Sequence, residues 1–430
     1  MRTEKLYKLF KRYTGITTDS RKVESGQIFF ALWGENYNGN QFAAEALKNG
    51  ASWAVVDDPL LGIEKTILVD DCLQELQGLA SYHRKELKIP VLAITGSNGK
   101  TTTKELIATI MAKKFKVHFT KGNLNNHIGV PLTILSTPEG TEIIILEIGA
   151  NHIGEIKTLC RIANPDFGII TNIGRAHIEG FGSNGGIKKA KSELFEHLKK
   201  VNGVAFYNDK NPLISEMIFK LINRAVPFSD PTGTELTVEM APSDLNLSLS
   251  VTYNHLTYNI NTNLFGKYNL ENVKAAIATS LFFGVEMDDI VSAIEDYHPA
   301  NNRSQIKITK KNRLICDSYN ANPTSMSLAL ESFNGIQADK KLVILGDMLE
   351  LGENSEEEHT KLLVELQSYN FENILLVGPI FQKVSSKYGF KSFSDINGLL
   401  NFITKKPVTG STILIKGSRG ITLEIIYDLL

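Results

Sequence analysis

The chain has little that would tie it to a membrane, an oxidising compartment or a polyanion. Only three cysteines, Cys72, Cys160 and Cys316, occur in 430 residues. They lie far apart with no C-x-x-C, which argues against a disulfide framework or a thiolate metal cluster and fits a reducing cytosol. No apolar run approaches the ~18 residues that cross a bilayer. Residues 1–12 alternate charged and apolar side chains and lack the apolar core of a secretory signal. A cytoplasmic protein without membrane insertion is therefore expected. Neither sign of charge is in surplus, since 46 Lys and Arg stand against 47 Asp and Glu. That removes the basic surface expected of a DNA or RNA partner. Solenoid repeats and low-complexity tracts are absent as well.

What is present is ordinary globular material, 42% hydrophobic and 22% charged, enough for two to four domains at ~100–200 residues each. The most informative stretch is 91–105, V-L-A-I-T-G-S-N-G-K-T-T-T-K-E. An apolar strand, a glycine turn and a helix follow one another there. Glycines let the backbone approach an oxygen with several N–H groups, and the helix start adds the positive end of its dipole. In such a loop Lys100 bridges terminal phosphates and the Thr101 hydroxyl meets Mg²⁺. The strict phosphate-loop pattern fails by count, because Ile94 stands where its first glycine belongs. An ordinary glycine turn capped by threonine is the bland alternative.

Residues 1–88 read as a small α/β unit, with a strand at 27–32, a helix at 42–49 and a strand at 53–56. Asp19-Ser20-Arg21 is either a ligand-binding loop or a turn with a solvated arginine. Beyond the phosphate loop, Asn123, Asn125 and Asn126 crowd a loop that could orient a polar substrate. The run 143–146 reads as a buried parallel strand ending in Glu147. Ligands of open α/β sheets sit beyond such strand ends, so Glu147 is placed to hold a Mg²⁺ that a nucleotide carries. A second strand, 167–171, leads to His177, either a ligand or an ordinary histidine. The helix at 187–200 carries five lysines, most simply a solvated face, but Lys191 turns toward the apolar side and could lose its proton there. Alternation over 237–260, broken at 253–255, predicts an antiparallel hairpin. After 301, apolar runs at 314–316, 342–345, 374–377 and 413–415 alternate with helical patterns, which predicts a parallel sheet. One edge of it collects Asp317, Asp347, Lys416 and Arg419. A nucleotide pocket facing a second site suggests closure of domains around ATP and an acceptor.

With these residues in view, the chain resembles the Mur ligases, the ATP-dependent amide-forming enzymes of peptidoglycan synthesis. Thr95-Gly96-Ser97-Asn98-Gly99-Lys100-Thr101-Thr102 is similar to their shortened ATP loop. Residues 147–151, 317–323 and 345–352 are similar to the member that joins D-alanyl-D-alanine to UDP-N-acetylmuramoyl-tripeptide. The Asp-Asn-Pro-Arg stretch of the sibling that adds a diamino acid is missing. That sibling, a folylpolyglutamate-type ligase and a non-catalytic nucleotide-binding module are the rival readings.

The resemblance implies three domains: a small N-terminal α/β domain binding the UDP-sugar (1–88), a central parallel-sheet ATPase domain (89–300) and a C-terminal Rossmann-like α/β ligase domain that binds the amino acceptor (301–430). It implies that Gly96, Ser97, Asn98, Gly99, Lys100, Thr101 and Thr102 hold the ATP phosphates. Asn272, Arg303 and Asp317 would contact adenine, phosphate and ribose. Thr101 and Glu147 would hold one Mg²⁺ and His177 a second, with Lys191 carbamylated by CO₂ into a further ligand. Lys100, His177 and Lys191 would be catalytic. Ser20, Arg21, Asn125 and Asn126 match the side that receives the UDP-sugar peptide. Asn40 departs from the histidine expected in the first domain. A monomer acting on small molecules is expected.

Overall fold

The computed structural model describes residues 3–175 and 178–430. Three main sheets carry it. Ile16–Thr17, Ile28–Phe30, Trp53–Val56 and Thr66–Leu68 form a parallel four-stranded sheet. A parallel six-stranded sheet follows, in the order Ala225–Pro227, Val204–Tyr207, Phe167–Ile170, Val91–Thr95, Ile143–Glu147, Val117–Phe119. Val91–Thr95 is the pivot of this order. The chain next builds one flank and later the other, so the ends of Ile143–Glu147 and Phe167–Ile170 open a crevice on either side of residue 95.

The third sheet has nine strands. Its parallel part contains Arg313–Asp317, Thr412–Lys416, Lys341–Gly346, Asn373–Val377 and Lys391–Phe393. Its antiparallel part is Leu236–Ala241, Asn246–Tyr253 and Leu256–Phe265, joined to the rest through Gln305–Ile308. The expected hairpin is there. Asn254 and His255 take φ of 50° and 64°, as its two-residue turn requires. A single register pair, Leu264 with Gln305, ties this hairpin to the last unit, while Leu249, Val251 and Ile260 pack into the core of the central sheet.

The first two units share one apolar core. The helix Cys72–Leu87 begins at Asp71, whose side chain accepts from Gln74 N, and ends at Lys88 in the left-handed region. Its Cys72, Leu76, Leu79 and Ala80 are buried and cluster with Ile134, Ile144, Ile156 and Phe195 of the central unit. Burial of each such large side chain contributes ~1.5–3 kcal/mol. Arg84 on the same helix donates to Ala163 O at 2.9 Å and to Asp166 Oδ2 at 2.7 Å. Asp166 in turn accepts from Val91 N at 2.9 Å. The first unit is thus fastened to the entry of the pivot strand.

The last unit is entered through residues 301–304, where Asn301, Asn302 and Ser304 take φ of 58°, 55° and 48°. Three non-glycine residues in this region mark a backbone held by its surroundings. Ser304 N donates to Asp317 Oδ1 at 3.0 Å, and Ser304 Oγ bonds Tyr268 Oη at 2.8 Å.

Candidate active site

The pivot strand ends at Thr95, and residues 96–99 turn the chain into the helix Lys100–Met111. Gly96 has φ 148°, and a Cβ there would collide with Thr171 Oγ1; Gly99 has φ 78°, and a Cβ there would collide with Asn272 Oδ1. Glycine at both positions is a packing requirement as well as a conformational one. The loop is pinned from the neighbouring strand end. Asn98 N donates to Asn172 Oδ1 at 2.9 Å, and Asn98 O accepts from Thr171 Oγ1 at 2.6 Å and Asn172 Nδ2 at 3.1 Å. Ser97 Oγ donates to Gly174 O at 2.9 Å.

A cleft of about 780 Å³ opens over this loop. Its walls include Ser97 to Thr102, Glu147 and Asn272 from the central unit, and Arg303, Asp317, Tyr319, Asn322, Glu350 and Lys416 from the last unit. Lys100 Nζ folds back on its own loop, donating to Gly96 O at 2.8 Å and Ser97 O at 3.3 Å. Burial lowers the Lys100 pKa, and the Glu147 carboxylate opposes that shift. Both oxygens of Glu147 are held. Thr101 Oγ1 donates to Oε2 at 2.7 Å, and Asn125 Nδ2 donates to Oε1 at 2.8 Å. Across the cleft Lys416 Nζ pairs with Asp317 Oδ2 at 2.7 Å. The Arg303 guanidinium lies 3.6 Å from the centre of the Tyr319 ring, and its Nε is buried without a partner. This is a polar wall with cationic and aromatic faces opposite a glycine loop at a helix N-terminus, a combination suited to a nucleotide.

Thus Ser97 to Thr102, Glu147, Asn125, Asn272, Arg303 and Asp317 converge on one place, while Gly96 packs against Thr171 at the base of the loop. Asn126 also lines the cleft, but its Oδ1 is committed to Ile128 N and Gly129 N at 3.1 and 2.9 Å. Lys191 is buried, 5.4 Å from the Phe181 ring centre, and does not line the cleft. Burial and then the charge of Lys100 push its pKa down to about 7. Glu193, two residues on, accepts from Gly154 N at 2.6 Å and Lys157 N at 2.8 Å and so caps the helix Glu155–Ala163. His177 lies outside the described residues. Ser20 and Arg21 do not line this cleft. Arg21 is exposed and forms a two-pronged pair with Asp19, 2.9 Å at each contact. Asn40 is buried and donates to Asp57 Oδ1 at 2.7 Å.

Asp347 corrects the expected second site face. It is fully buried, and its carboxylate accepts from Ile380 N at 2.9 Å and Phe381 N at 2.8 Å. That is the cap of the helix Pro379–Ser385, beside His359. A polar residue after an apolar run is expected to face a ligand, but here the strand end turns inward. Thr171, Asn172 and Asn322 were missed, since isolated Thr and Asn at loop positions carry no spacing signal.

Comparison with known proteins covers the whole chain. Residues 12–82 match the Mur ligase family, catalytic domain; residues 94–280 match the Mur ligase middle domain; residues 302–419 match the Mur ligase, glutamate ligase domain. The UDP-N-acetylmuramoyl-tripeptide–D-alanyl-D-alanine ligase of Bacillus subtilis (strain 168) is 35% identical over 97% of this chain and 93% of its own. A crystal structure of MurF from Acinetobacter baumannii is 32% identical, covers 96% of this chain and 92% of its own, and has a TM-score of 0.85. The MurF ligase of Thermotoga maritima in complex with ADP is 26% identical with a TM-score of 0.85, and coverage is 97% of both chains. Similarity of this extent, carried from one end to the other, means that the chain belongs to the Mur ligase family.

Proposed function

We propose that the protein joins D-alanyl-D-alanine to UDP-N-acetylmuramoyl-tripeptide at the expense of ATP, giving UDP-N-acetylmuramoyl-pentapeptide, ADP and phosphate for peptidoglycan. The observation that carries this reading is the shared cleft: a phosphate loop on one unit faces Arg303, Asp317 and Lys416 on another, in a chain whose full-length relatives bear that activity in their names.

In this reading the terminal carboxylate of the tripeptide attacks the γ-phosphate of ATP. A free carboxylate is a poor acylating agent because its leaving group is oxide; phosphorylation supplies a better one. The loop N–H groups and Lys100 neutralise charge on the transferring group, which is positioning and electrostatics. Lys100 would exchange its two loop carbonyls for phosphate oxygens. Asn272 would contact the adenine, Arg303 the phosphates and Asp317 the ribose. The amine of D-alanyl-D-alanine then attacks the acyl phosphate; the C–N bond forms, the C–O bond breaks and phosphate leaves. The last unit must cover the acyl phosphate, which water would otherwise hydrolyse.

Thr101 and Glu147 form a hard-oxygen donor pair 2.7 Å apart beside the phosphate loop, which fits Mg²⁺. Bound there, the ion would supply positive charge to the phosphate oxygens. Lys191 fits carbamylation, since an amine with a pKa near 7 is largely neutral and nucleophilic at mildly alkaline pH. His177 belongs to the same group of proposed metal ligands. We assign residues 1–88, with Ser20 and Arg21, to the UDP-sugar, residues 89–300 to ATP and residues 301–430 to the amino acceptor.

The test is phosphate release with purified protein, ATP, Mg²⁺ and the muropeptide nucleotide. Release with D-alanyl-D-alanine and not with L-lysine, diaminopimelate or glutamate is expected. Turnover confined to one of the latter would assign the chain to a sibling activity.

A further inference from the structure

Lys104 is fully buried. It lies one turn beyond Thr101 on the helix Lys100–Met111, on the same face. Its Nζ donates to Thr120 O at 2.7 Å, stands 3.4 Å from Glu105 Oε1 and is 5.5 Å from the centre of the Phe119 ring. Glu105 Oε2 accepts in turn from Tyr297 Oη at 2.8 Å. A buried cation is costly to desolvate, and an apolar side chain would fill the same space more cheaply. What the ammonium accomplishes is visible at Thr120.

Thr120 follows the short strand Val117–Phe119, which runs parallel to Ile143–Glu147. Thr120 N donates to Ile145 O at 3.0 Å. A parallel ladder continued from that bond gives the N–H of residue 147 to the carbonyl of residue 120. Here Lys104 occupies that carbonyl, and Glu147 N donates instead to the Thr120 hydroxyl oxygen at 3.0 Å. The ladder thus changes its acceptor at the residue whose carboxylate meets Thr101. Further along the same loop, Asn125 Nδ2 holds Glu147 Oε1 at 2.8 Å. Glu147 is therefore fixed at its N–H and at both carboxylate oxygens, and two of these anchors belong to the stretch that Lys104 grips.

We infer that Lys104 is a positioning residue for the Glu147 carboxylate: by taking the Thr120 carbonyl it diverts the Glu147 N–H to the Thr120 hydroxyl and so sets the strand end from which Glu147 reaches the phosphate loop. Without the ammonium the regular ladder bond becomes available, and the carboxylate no longer meets Thr101 and Asn125 together. This rests on the reading of Glu147 as a holder of the Mg²⁺ that accompanies ATP.

Lys104→Met keeps the length and apolar stem of the side chain and removes its donor. By charge alone, losing a cation from the helix that carries Thr101 would tighten metal binding; misplacing Glu147 weakens it. The two effects have opposite signs. Mn²⁺ binding to protein saturated with ADP is measured by electron paramagnetic resonance, beside ADP affinity in EDTA and melting temperature. Mn²⁺ affinity should fall about tenfold or more in Lys104→Met, with metal-free ADP affinity little changed. Thr120→Val leaves Lys104 in place and removes the hydroxyl acceptor. It should lose Mn²⁺ affinity too, and it carries the test if Lys104→Met fails to fold. In a Glu147→Gln background neither substitution should weaken Mn²⁺ further. Undiminished Mn²⁺ affinity in either variant would overturn the inference. So would a loss of equal size with and without the Glu147 carboxylate, or an equal loss of ADP affinity without metal, since both mark a structural role only. If Glu147→Gln itself binds Mn²⁺ as the wild type does, the cation reading of Glu147 falls and this inference with it. Indifference of Lys104→Met where Glu147→Gln is weakened removes the inference alone.

Discussion

Thr101 Oγ1 donates to Glu147 Oε2 across 2.7 Å, joining the first turn of the loop helix to the end of the neighbouring strand. Because Asn125 holds the other oxygen at 2.8 Å, the carboxylate cannot rotate away from the loop. A group so placed serves a cation that accompanies phosphate. Glu147→Gln keeps the shape and removes the charge. Turnover should fall ~100-fold or more with the fold intact, and the Mg²⁺ concentration needed for half-maximal rate should rise. Titration of Mg²⁺ against ADP formation, with circular dichroism as the control, checks this.

Lys191 should react with CO₂ in the folded protein. Burial, and then Lys100, bring its pKa down to about 7. The neutral amine is the reactive form, so its fraction rises as pH rises through that value. Stimulation of ADP formation by bicarbonate should therefore grow from pH 6 to pH 8 and be absent in Lys191→Ala. A carbamate signal after ¹³C-bicarbonate addition, lost in the same variant, is the direct readout.

Asp347 should matter for stability and not for chemistry. Its carboxylate satisfies two N–H groups at the start of Pro379–Ser385. Asp347→Ala leaves them without a partner in a buried place, at a cost of ~2–3 kcal/mol. Thermal or urea unfolding should show the loss. Below the transition, ATP-dependent turnover should be retained.

The case of Asp347 shows what was legible in the sequence. Apolar runs such as 143–146 and 413–415 became strands because nothing but burial on both faces accounts for them. The linking strand Gln305–Ile308 and the edge strand Lys391–Phe393 escaped notice, since short strands this exposed carry no continuous apolar run. The site was readable where a residue type sits at the end of a recognisable strand, as Glu147 does. The direction in which a strand end turns is set by tertiary packing, and that is where Asp347 misled. The hydrogen bond from Asn322 Nδ2 to Asn98 Oδ1 spans 224 positions, and no local spacing foretells it.

His83 should make the first unit acid-sensitive. It is 5% exposed, its Nδ1 lies 3.2 Å from Tyr7 Oη, and burial lowers its pKa to about 4. The folded state therefore excludes a proton that the unfolded state binds from about pH 6.5 downward. Stability from this group is full above that pH and is lost as pH falls toward 4, by up to ~3 kcal/mol. Melting curves between pH 7 and pH 4.5 should show the loss, and His83→Gln should flatten it.

The central claim is that the glycine loop holds ATP so that a peptide carboxylate is phosphorylated before an amine replaces the phosphate. Labelling the terminal carboxylate of the muropeptide nucleotide with ¹⁸O tests this most directly. The attacking carboxylate oxygen becomes the bridge of the acyl phosphate and departs with phosphorus. Mass spectrometry of the phosphate released on ligation to D-alanyl-D-alanine should find one ¹⁸O atom per phosphate. Unlabelled phosphate, with pentapeptide product formed, would contradict the account.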